Sequence, residues 1–376
     1  MAPSSSTIKA QGIKIEKDPS HITPLPPYVE DLRKLLLNFR EILPHNQKPE
    51  LELLYKRDKD LLNKKFRLRE NIYCDSAHPI YKARWEAAMA LRNNAKHLRD
   101  RNKEDAWTNL IGGTVFEKIN HQASDEGILL KDLLSWGSDE LFTNAVAIRR
   151  QFPDGKNHMP KPDFWFGLGL YNDKKLSRLS GLELKDKGIE YFTKEKLVCI
   201  KRNQNKTLIC QPGTSEKAGA FPWMVVELKK ERGDEKECLM QAANASYTSL
   251  KLCEGLAAPA MKDIPPIIAF TSIGPEAKIF ITYKSEEDAK DGVYRFSCIW
   301  SGNIENILHA LQIRRIVDQL MYWALRIFKP WVTECLEHWS RKRTEDEGDD
   351  ETDDETDDET DDETEDGTEE ESEAEA

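Results

Sequence analysis

The sequence predicts a mixed α/β (α+β) domain in which helices flank a central sheet. Short apolar runs typical of strands fill the middle of the 376-residue chain, and stretches with apolar residues at helical spacing stand on both sides. This length suffices for one large domain or two ordinary ones. We expect a flexible Ser/Pro-rich arm at 1–27, a folded domain at 28–343 with a helical region at 28–120, and a disordered tail at 344–376.

Helices are predicted before and after the strands. "YVEDLRKLLLNFREIL" and "PELELLYKRDKDLLNKKF" place apolar residues three and four positions apart, and "PIYKARWEAAMALRNNAKHLRDRNKEDAWTNLIGGTVFEKI" predicts two helices. "DEKECLMQAANASYTSLKLCEGL" predicts a helix that ends at Gly255. The stretch from Asn303 to Arg343 predicts a long helical segment that is interrupted at Pro330.

Strands are predicted for "KPDFWFGLGLYN", "FPWMVVELKK", "PPIIAFTSIG", "AKIFITYK" and "VYRFSCIW". Phe164, Trp165 and Phe166 are expected in the core. "KLVCIKRNQNKTLIC" is predicted to form a hairpin that turns at 203–205, and "NAVAIRRQF" is either a strand or a short helix.

The charge of the chain is divided between a basic body and an acidic tail. The tail holds 22 acidic residues and no basic one. Residues 1–343 therefore contain 55 basic and 45 acidic residues and carry a net charge of +10. A basic body suits a polyanionic partner such as a nucleic acid, although excess surface lysine for solubility explains it equally well. The tail is either a solubilising segment, a nucleic-acid mimic that folds back on the body, or a docking segment for a basic protein partner.

The cysteines indicate an intracellular protein, nuclear or cytoplasmic. None of the seven forms a Cys-x-x-Cys pair, and we expect reduced thiols that lie mostly in the core. The eight histidines lack zinc-site spacing. No apolar leader occurs in the first thirty residues and no apolar stretch approaches 18 residues, so neither secretion nor a membrane partner is expected.

Five side chains form the candidate catalytic set. Glu104 is in the first turn of a predicted helix, and Asp163 directly follows a proline at the head of a predicted strand. Glu227 and Lys229 are two residues apart in a predicted strand, so both point to the same face of it. Gln241 lies a turn into the helix that follows.

This set fits a magnesium site that cuts a phosphodiester bond. Carboxylate and carbonyl oxygens are the ligands that a hard cation prefers, so Asp163, Glu227 and the main-chain carbonyl of Leu228 would hold Mg²⁺. Lys229 would orient the attacking water or stabilise charge on the phosphate. Glu104 would hydrogen-bond a water on the metal, and Gln241 would help to position metal or phosphate. As alternatives, Glu104 is a first-turn residue favoured by the helix dipole and Gln241 an exposed helix residue.

Pro162-Asp163, Glu227-Leu228-Lys229 on an apolar strand and Gln241 on the next helix together resemble the motif of the PD-(D/E)XK nuclease superfamily. The wider frame, roughly residues 30 to 335, is similar to the PD-(D/E)XK nuclease-like domain common in fungal genomes. It includes a glutamate, Glu104, three residues before a tryptophan. The resemblance rests on a short and degenerate motif, supported by its order and strand context.

The resemblance implies a restriction-endonuclease-like fold, with a central mixed four-stranded sheet and the acidic residues on adjacent strands. It also implies Mg²⁺ or Mn²⁺ as cofactor and hydrolysis of DNA, or sometimes RNA. Because many fungal members have no established activity, the alternative is an inactive nuclease fold that serves as a nucleic-acid or chromatin-associated binding module. Two features depart from the family pattern. The 64-residue gap between Asp163 and Glu227 requires an insertion, and the spacing from Gln241 to Tyr247 is Gln-x5-Tyr, not Gln-x3-Tyr.

A second Glu-Leu-Lys triplet stands at 183–185, only 20 residues after Asp163. No apolar run leads into it, whereas four apolar residues, 223–226, precede Glu227. A strand that crosses a core needs such a run. The sequence therefore favours Glu227 and Lys229 as the functional pair.

Overall fold

A mixed sheet of eight strands forms the centre of the described structure. The structure is a computed structural model that describes residues 9–10, 13–20, 22–57, 70–75, 78–99, 103–117, 119, 133–142, 160–171, 188–202, 208, 210–211, 219–285 and 294–346. The strands are β1 (Lys9–Ala10), β2 (Ile13–Glu16), β3 (Leu43–Pro44), β4 (Tyr73–Cys74), β5 (Leu134–Ser138), β6 (Phe164–Gly169), β7 (Gly219–Lys229), β8 (Ile267–Ile273), β9 (Glu276–Lys284) and β10 (Tyr294–Asn303). The helices are α1 (Pro27–Leu36), α2 (Lys48–Arg57), α3 (Pro79–Leu98), α4 (Glu104–Leu110), α5 (Lys194–Arg202), α6 (Glu235–Ala257), α7 (Ile307–Trp323) and α8 (Lys329–Asp346).

The sheet has the order β1-β2-β10-β9-β8-β7-β6-β5, and β3 pairs with β4 separately. Strands β5, β6 and β7 are antiparallel neighbours, whereas β7 and β8 are parallel. Helix α6 joins these two parallel strands, as a parallel pair requires a crossover. The mixed α/β architecture and the five predicted strands are confirmed, and the sheet has eight strands where the resemblance implied a central four.

Strand β7 lies in the core of the protein. Its first ten residues are all buried, so both of its faces are covered. Strands covered on both faces read as continuous apolar runs, which is the pattern of "FPWMVVEL". Phe164, Trp165 and Phe166 in the neighbouring strand are also buried, as predicted. None of the seven cysteines, all of which lie in the described residues, forms a disulfide bond, and five of them are buried. Among the described helices, none combines the length and apolar character needed to cross a bilayer.

Residues 13–16 form strand β2, although they lie in the segment 1–27 that was predicted as a flexible arm. Strand β2 pairs in parallel with β10, and its residues Ile13 and Ile15 are buried. Glu16 accepts hydrogen bonds from Arg295 (2.9 Å) and Ser297 (2.7 Å). The alternation of apolar and polar residues over four positions was the strand signal, but its partner lies about 280 residues further along the chain.

Glu16→Ala is expected to lower the free energy of unfolding by about 1.5 kcal/mol, because Arg295 is buried and loses its carboxylate. The loss is moderate since Arg295 keeps a hydrogen bond to Thr23. Urea unfolding measures it, with the exposed Glu50→Ala as control. Equal midpoints for the two variants would contradict a structural role for β2.

The predicted hairpin at 196–210 begins instead as helix α5. Leu197 and Ile200 are buried at a spacing of three, while Val198 and Cys199 between them are exposed, so the apolar pattern has the helical period. Thr193 Oγ1 accepts a hydrogen bond from the N–H of Lys196 (3.0 Å), which is the arrangement of a helix N-cap. The hairpin was predicted because a short apolar run is also compatible with a strand.

Three further boundaries differ from the predictions. Helix α6 continues through Gly255 to Ala257. The interruption near Pro330 is a π-helical turn at Ala324–Phe328, which ends two residues before the proline that cannot donate a main-chain hydrogen bond. Helix α8 runs to Asp346, three residues into the segment expected to be disordered. The predictions for 144–152, 183–185, 203–205 and 347–376 lie outside the described residues.

Candidate active site

Asp163 lies at the start of β6, where the chain enters the sheet. Its Oδ2 accepts a hydrogen bond from the main-chain N–H of Leu228 at 2.6 Å, which ties it to the end of β7. Its own carbonyl accepts from the N–H of Asp139 (3.3 Å) in the segment after β5. Burial raises the pKa of Asp163, although the hydrogen bond from Leu228 and the positive charge of Lys229 act in the opposite direction.

Glu227 and Lys229 form a mostly buried ion pair on one face of β7. Glu227 is 3% exposed, and its Oε1 lies 3.1 Å from Nζ of Lys229, whose side chain is 15% exposed. Burial, together with the charge of Asp163, raises the pKa of Glu227 to about 8. Burial favours the neutral amine of Lys229, but the charges of Glu227, Glu104 and Asp163 outweigh it and raise its pKa. The lysine is therefore positively charged at neutral pH.

The carbonyl of Leu228 faces the same side as Asp163. In a strand the N–H and C=O of one residue point to the same neighbouring strand, and the N–H of Leu228 points to Asp163. The last pair between β6 and β7 joins Phe164 to Val226, so Leu228 lies beyond the ladder. Its carbonyl is thus placed on the side where the two acidic residues meet.

Glu104 belongs to the same charge cluster. It is the first residue of α4, and its charge raises the pKa of both Asp163 and Glu227. Three carboxylates are consequently close to one ammonium group, Lys229. These four side chains are four of the five that the sequence predicts as the catalytic set.

Gln241 occupies a different position from the other four. It is exposed on α6, and its Nε2 donates to Glu237 Oε1 on the same helix at 3.4 Å. Cys238, one turn earlier, has its Sγ 3.6 Å from the carbonyl of Glu227. Among the described contacts, the hydrogen bond of Gln241 runs along its own helix and does not connect it to Asp163, Glu227 or Lys229.

Two neighbours of the site were missed by sequence reasoning. The thiol of Cys238 lies against Glu227, and burial raises its pKa. Asp139 contacts the main chain of Asp163 and pairs with Lys161 at 3.3 Å. Cys238 could have been suspected as the fourth residue of a helix that starts directly after β7. Nothing in the local sequence of Asp139 connects it to a strand that begins 25 residues later.

The loop after β8 supports the end of β7. The N–H of Gly274 donates to the carbonyl of Lys229 at 2.9 Å, with φ at +55°. A Cβ at this position would lie 2.9 Å from Cβ of Glu231. A glycine is required here because the backbone conformation and the close approach both exclude a side chain. The loop thereby holds the main chain next to the ion pair in place.

The donor set fits a hard divalent cation. Within the described part of the chain no three His, Cys, Asp or Glu side chains converge as a metal cage. Mg²⁺ is commonly held by one or two carboxylates together with waters, and Asp163, Glu227 and the Leu228 carbonyl offer oxygens only. Burial, together with the nearby acidic charges, raises the pKa of both Asp163 and Glu227, and a bound cation would stabilise their charged forms.

In comparisons with known proteins, no family model, curated protein or solved structure matches this chain. The resemblance to the PD-(D/E)XK superfamily therefore stays a prediction from the sequence.

Proposed function

We propose that this chain is a divalent-cation-dependent nuclease of the PD-(D/E)XK type that hydrolyses phosphodiester bonds in DNA. The observation that carries the proposal is the hydrogen bond from Leu228 to Asp163, which joins the two halves of the motif beside the Glu227–Lys229 ion pair. Proximity of these groups across two strands is what the chemistry requires. The restriction-endonuclease-like fold is part of the same proposal, supported by the antiparallel β6–β7 pair and the parallel β7–β8 pair.

The residues divide the reaction between them. Asp163, Glu227 and the Leu228 carbonyl hold Mg²⁺ or Mn²⁺, which when bound lowers the pKa of a coordinated water and screens the phosphate charge. Lys229 holds the attacking water and stabilises the negative charge that develops on the phosphate oxygens. The water gives up one proton as its oxygen bonds to phosphorus, the P–O ester bond breaks, and the departing oxygen takes up one proton, so that the overall reaction consumes one water. Glu104 orients water from the facing helix.

A nucleic acid is the class of substrate that the charge of the body favours. The net charge of +10 on residues 1–343 attracts a polyanion at low salt. The acidic segment that follows would compete with DNA for this surface or bind a basic protein.

We expect the protein to cleave plasmid or single-stranded DNA with Mg²⁺ or Mn²⁺, to stop when EDTA is added, and to lose activity in Glu227→Ala. Gel assays that compare intact and cut DNA measure this. A wild-type protein that cuts neither DNA nor RNA with several metals would overturn the proposal. If that protein still bound DNA, the inactive binding module would be the correct function.

A further inference from the structure

A second concave site is formed by the end of β10, the start of α7 and the segment after α1. Its volume is about 670 Å³, within the range of about 300–1,000 Å³ that is typical of small-molecule sites. Asp163, Glu227 and Lys229 are not among the described residues that line it. This cavity is therefore separate from the candidate active site.

A β-bulge in β10 shapes one wall of the cavity. Ile299, Trp300 and Ser301 all line it, although consecutive residues of a regular strand point to opposite faces. The pairing with β9 shifts between Cys298 and Trp300, which leaves one extra residue in the strand. Such bulges reorient side chains and are frequent next to functional sites.

Two cavity-lining side chains of α7, Gln312 and His309, accept hydrogen bonds from other groups of the protein, and each has a nitrogen that can donate a hydrogen bond to a ligand. Gln312 is 4% exposed, and its Oε1 accepts from the indole N–H of Trp300 at 3.1 Å, which leaves its amide nitrogen as a donor. His309 Nδ1 accepts from the N–H of Asn303 at 2.9 Å. Burial lowers the pKa of His309 to about 4, so the neutral ring carries its hydrogen on Nε2, which donates.

The segment after α1 repeats this arrangement and adds a positive charge. Asn38 Oδ1 accepts from the main-chain N–H of Arg40, which leaves its amide nitrogen as a donor. Arg40 is exposed and has no ion-pair partner among the described residues. Arg33 and Lys34 also line the cavity but pair with carboxylates of their own helix. No acidic side chain is found among the described lining residues, so the wall offers donors and positive charge.

We propose that this cavity binds a nucleotide. Arg40, Asn38 and the donors of His309 and Gln312 hold the phosphate, because phosphate oxygens are acceptors that such donors match. The rings of Phe39 and Trp300 flank the planar base, as aromatic side chains do in nucleic-acid-binding proteins. The ligand is either a free mononucleotide or the terminal nucleotide of a strand, since both present the same phosphate and base.

The test is calorimetric titration of the full chain with AMP, adenosine and inorganic phosphate in the presence of EDTA. AMP is expected to bind at least tenfold more tightly than either fragment, since only AMP fills both parts of the cavity. No heat of binding with AMP at millimolar concentration would overturn the proposal. Because EDTA prevents cleavage and Glu227→Ala should bind AMP as wild type does, the result is independent of whether the protein is a nuclease.

Two variants locate the site. Arg40→Glu is expected to weaken AMP binding at least tenfold, and the matched control Arg326→Glu, an exposed arginine that does not line the cavity, should change it less than twofold. Gln312→Glu keeps the acceptor for the Trp300 indole but replaces the donor with an anion, so it should also weaken binding tenfold. Unchanged affinity in Arg40→Glu, whose exposed side chain can be replaced without loss of folding, would contradict the proposal.

Titration with a 5′-phosphorylated dinucleotide distinguishes the two sources of the ligand. Binding at least tenfold tighter than that of AMP would identify the end of a strand as the ligand, and tighter binding of AMP would identify a free nucleotide. Either result supports the nucleotide site, while equal binding of inorganic phosphate and AMP would reject the base-binding wall.

Discussion

Lys229→Met is expected to reduce the rate of Mg²⁺-dependent DNA cleavage by about 1,000-fold, the effect of removing one preorganised charge from a transition state. The ammonium lies 3.1 Å from Glu227 and stays protonated at neutral pH, so it is the positive side chain placed beside both acids. Methionine keeps the length and apolar stem of the side chain and removes only its charge. Single-turnover cleavage at saturating enzyme measures the chemical step without a contribution from binding.

Lys230→Met is the matched control for this variant. Lys230 is the next residue and is exposed, so its substitution removes the same charge from the same segment outside the site. We expect its cleavage rate to fall less than threefold. Lys229→Arg should recover part of the lost rate since the positive charge returns with a different shape. Equal losses in the Lys229 and Lys230 variants would show that the lysine contributes only general attraction for DNA.

Glu227→Gln is expected to remove most of the pH dependence of stability between pH 6.5 and pH 8 in metal-free protein. The carboxyl has a pKa of about 8 in the folded state against 4.5 in the unfolded state. Between these values the unfolded chain loses the proton while the folded chain retains it, so the stability of wild type falls as pH rises. From pH 6.5 to pH 8 the free energy of unfolding of wild type is expected to fall by about 2 kcal/mol.

The pH window is chosen to isolate this group. His309 has a lowered pKa, so its contribution to stability is lost as pH falls from about 6.5 toward 4, below the window. The buried thiols have raised pKa values. They change the pH dependence of stability only at about pH 8.5 and above, where a thiol in the unfolded chain ionises. Urea unfolding in EDTA at the two pH values gives the difference, with the exposed Glu237→Gln as control. The same slope in Glu227→Gln and wild type would contradict the assignment.

Mg²⁺ is expected to restore the stability that wild-type protein loses between pH 6.5 and pH 8. A cation that binds only the folded state stabilises it, and binding strengthens as Glu227 and Asp163 ionise. The stabilisation is therefore expected to be larger at pH 8 than at pH 6.5 and to be weak in Glu227→Gln. Equal stabilisation of both proteins at both pH values would show that the ion binds elsewhere.

The chemical identity of the candidate site could be predicted from the sequence because it depends on local patterns. Glu227 and Lys229 follow an apolar run that predicts a buried strand, and a spacing of two in a strand places both side chains on one face. Asp163 follows a proline and begins another apolar run. The contact between them could not be predicted, because β6 and β7 pair across 65 residues and no local pattern records that register.

Long-range pairing also explains the errors. Strand β2 has only four residues, and it is a strand because β10 offers an open edge. Helix α5 was predicted as a hairpin since a short apolar run is compatible with either period until its buried face is known. The bulge at Ile299 leaves no signal in "VYRFSCIW", so the cavity beside it was not foreseen.

Composition and periodicity are local properties, so the residues available for chemistry, the basic charge of the body and the apolar strands could be inferred from the sequence alone. The folded chain brings the charges of Asp163, Glu227, Lys229 and Glu104 near one another, leaves Gln241 hydrogen-bonded along its own helix, and forms a second cavity beside β10. These contacts depend on strand register and helix packing, and both of these involve residues that are far apart in the chain.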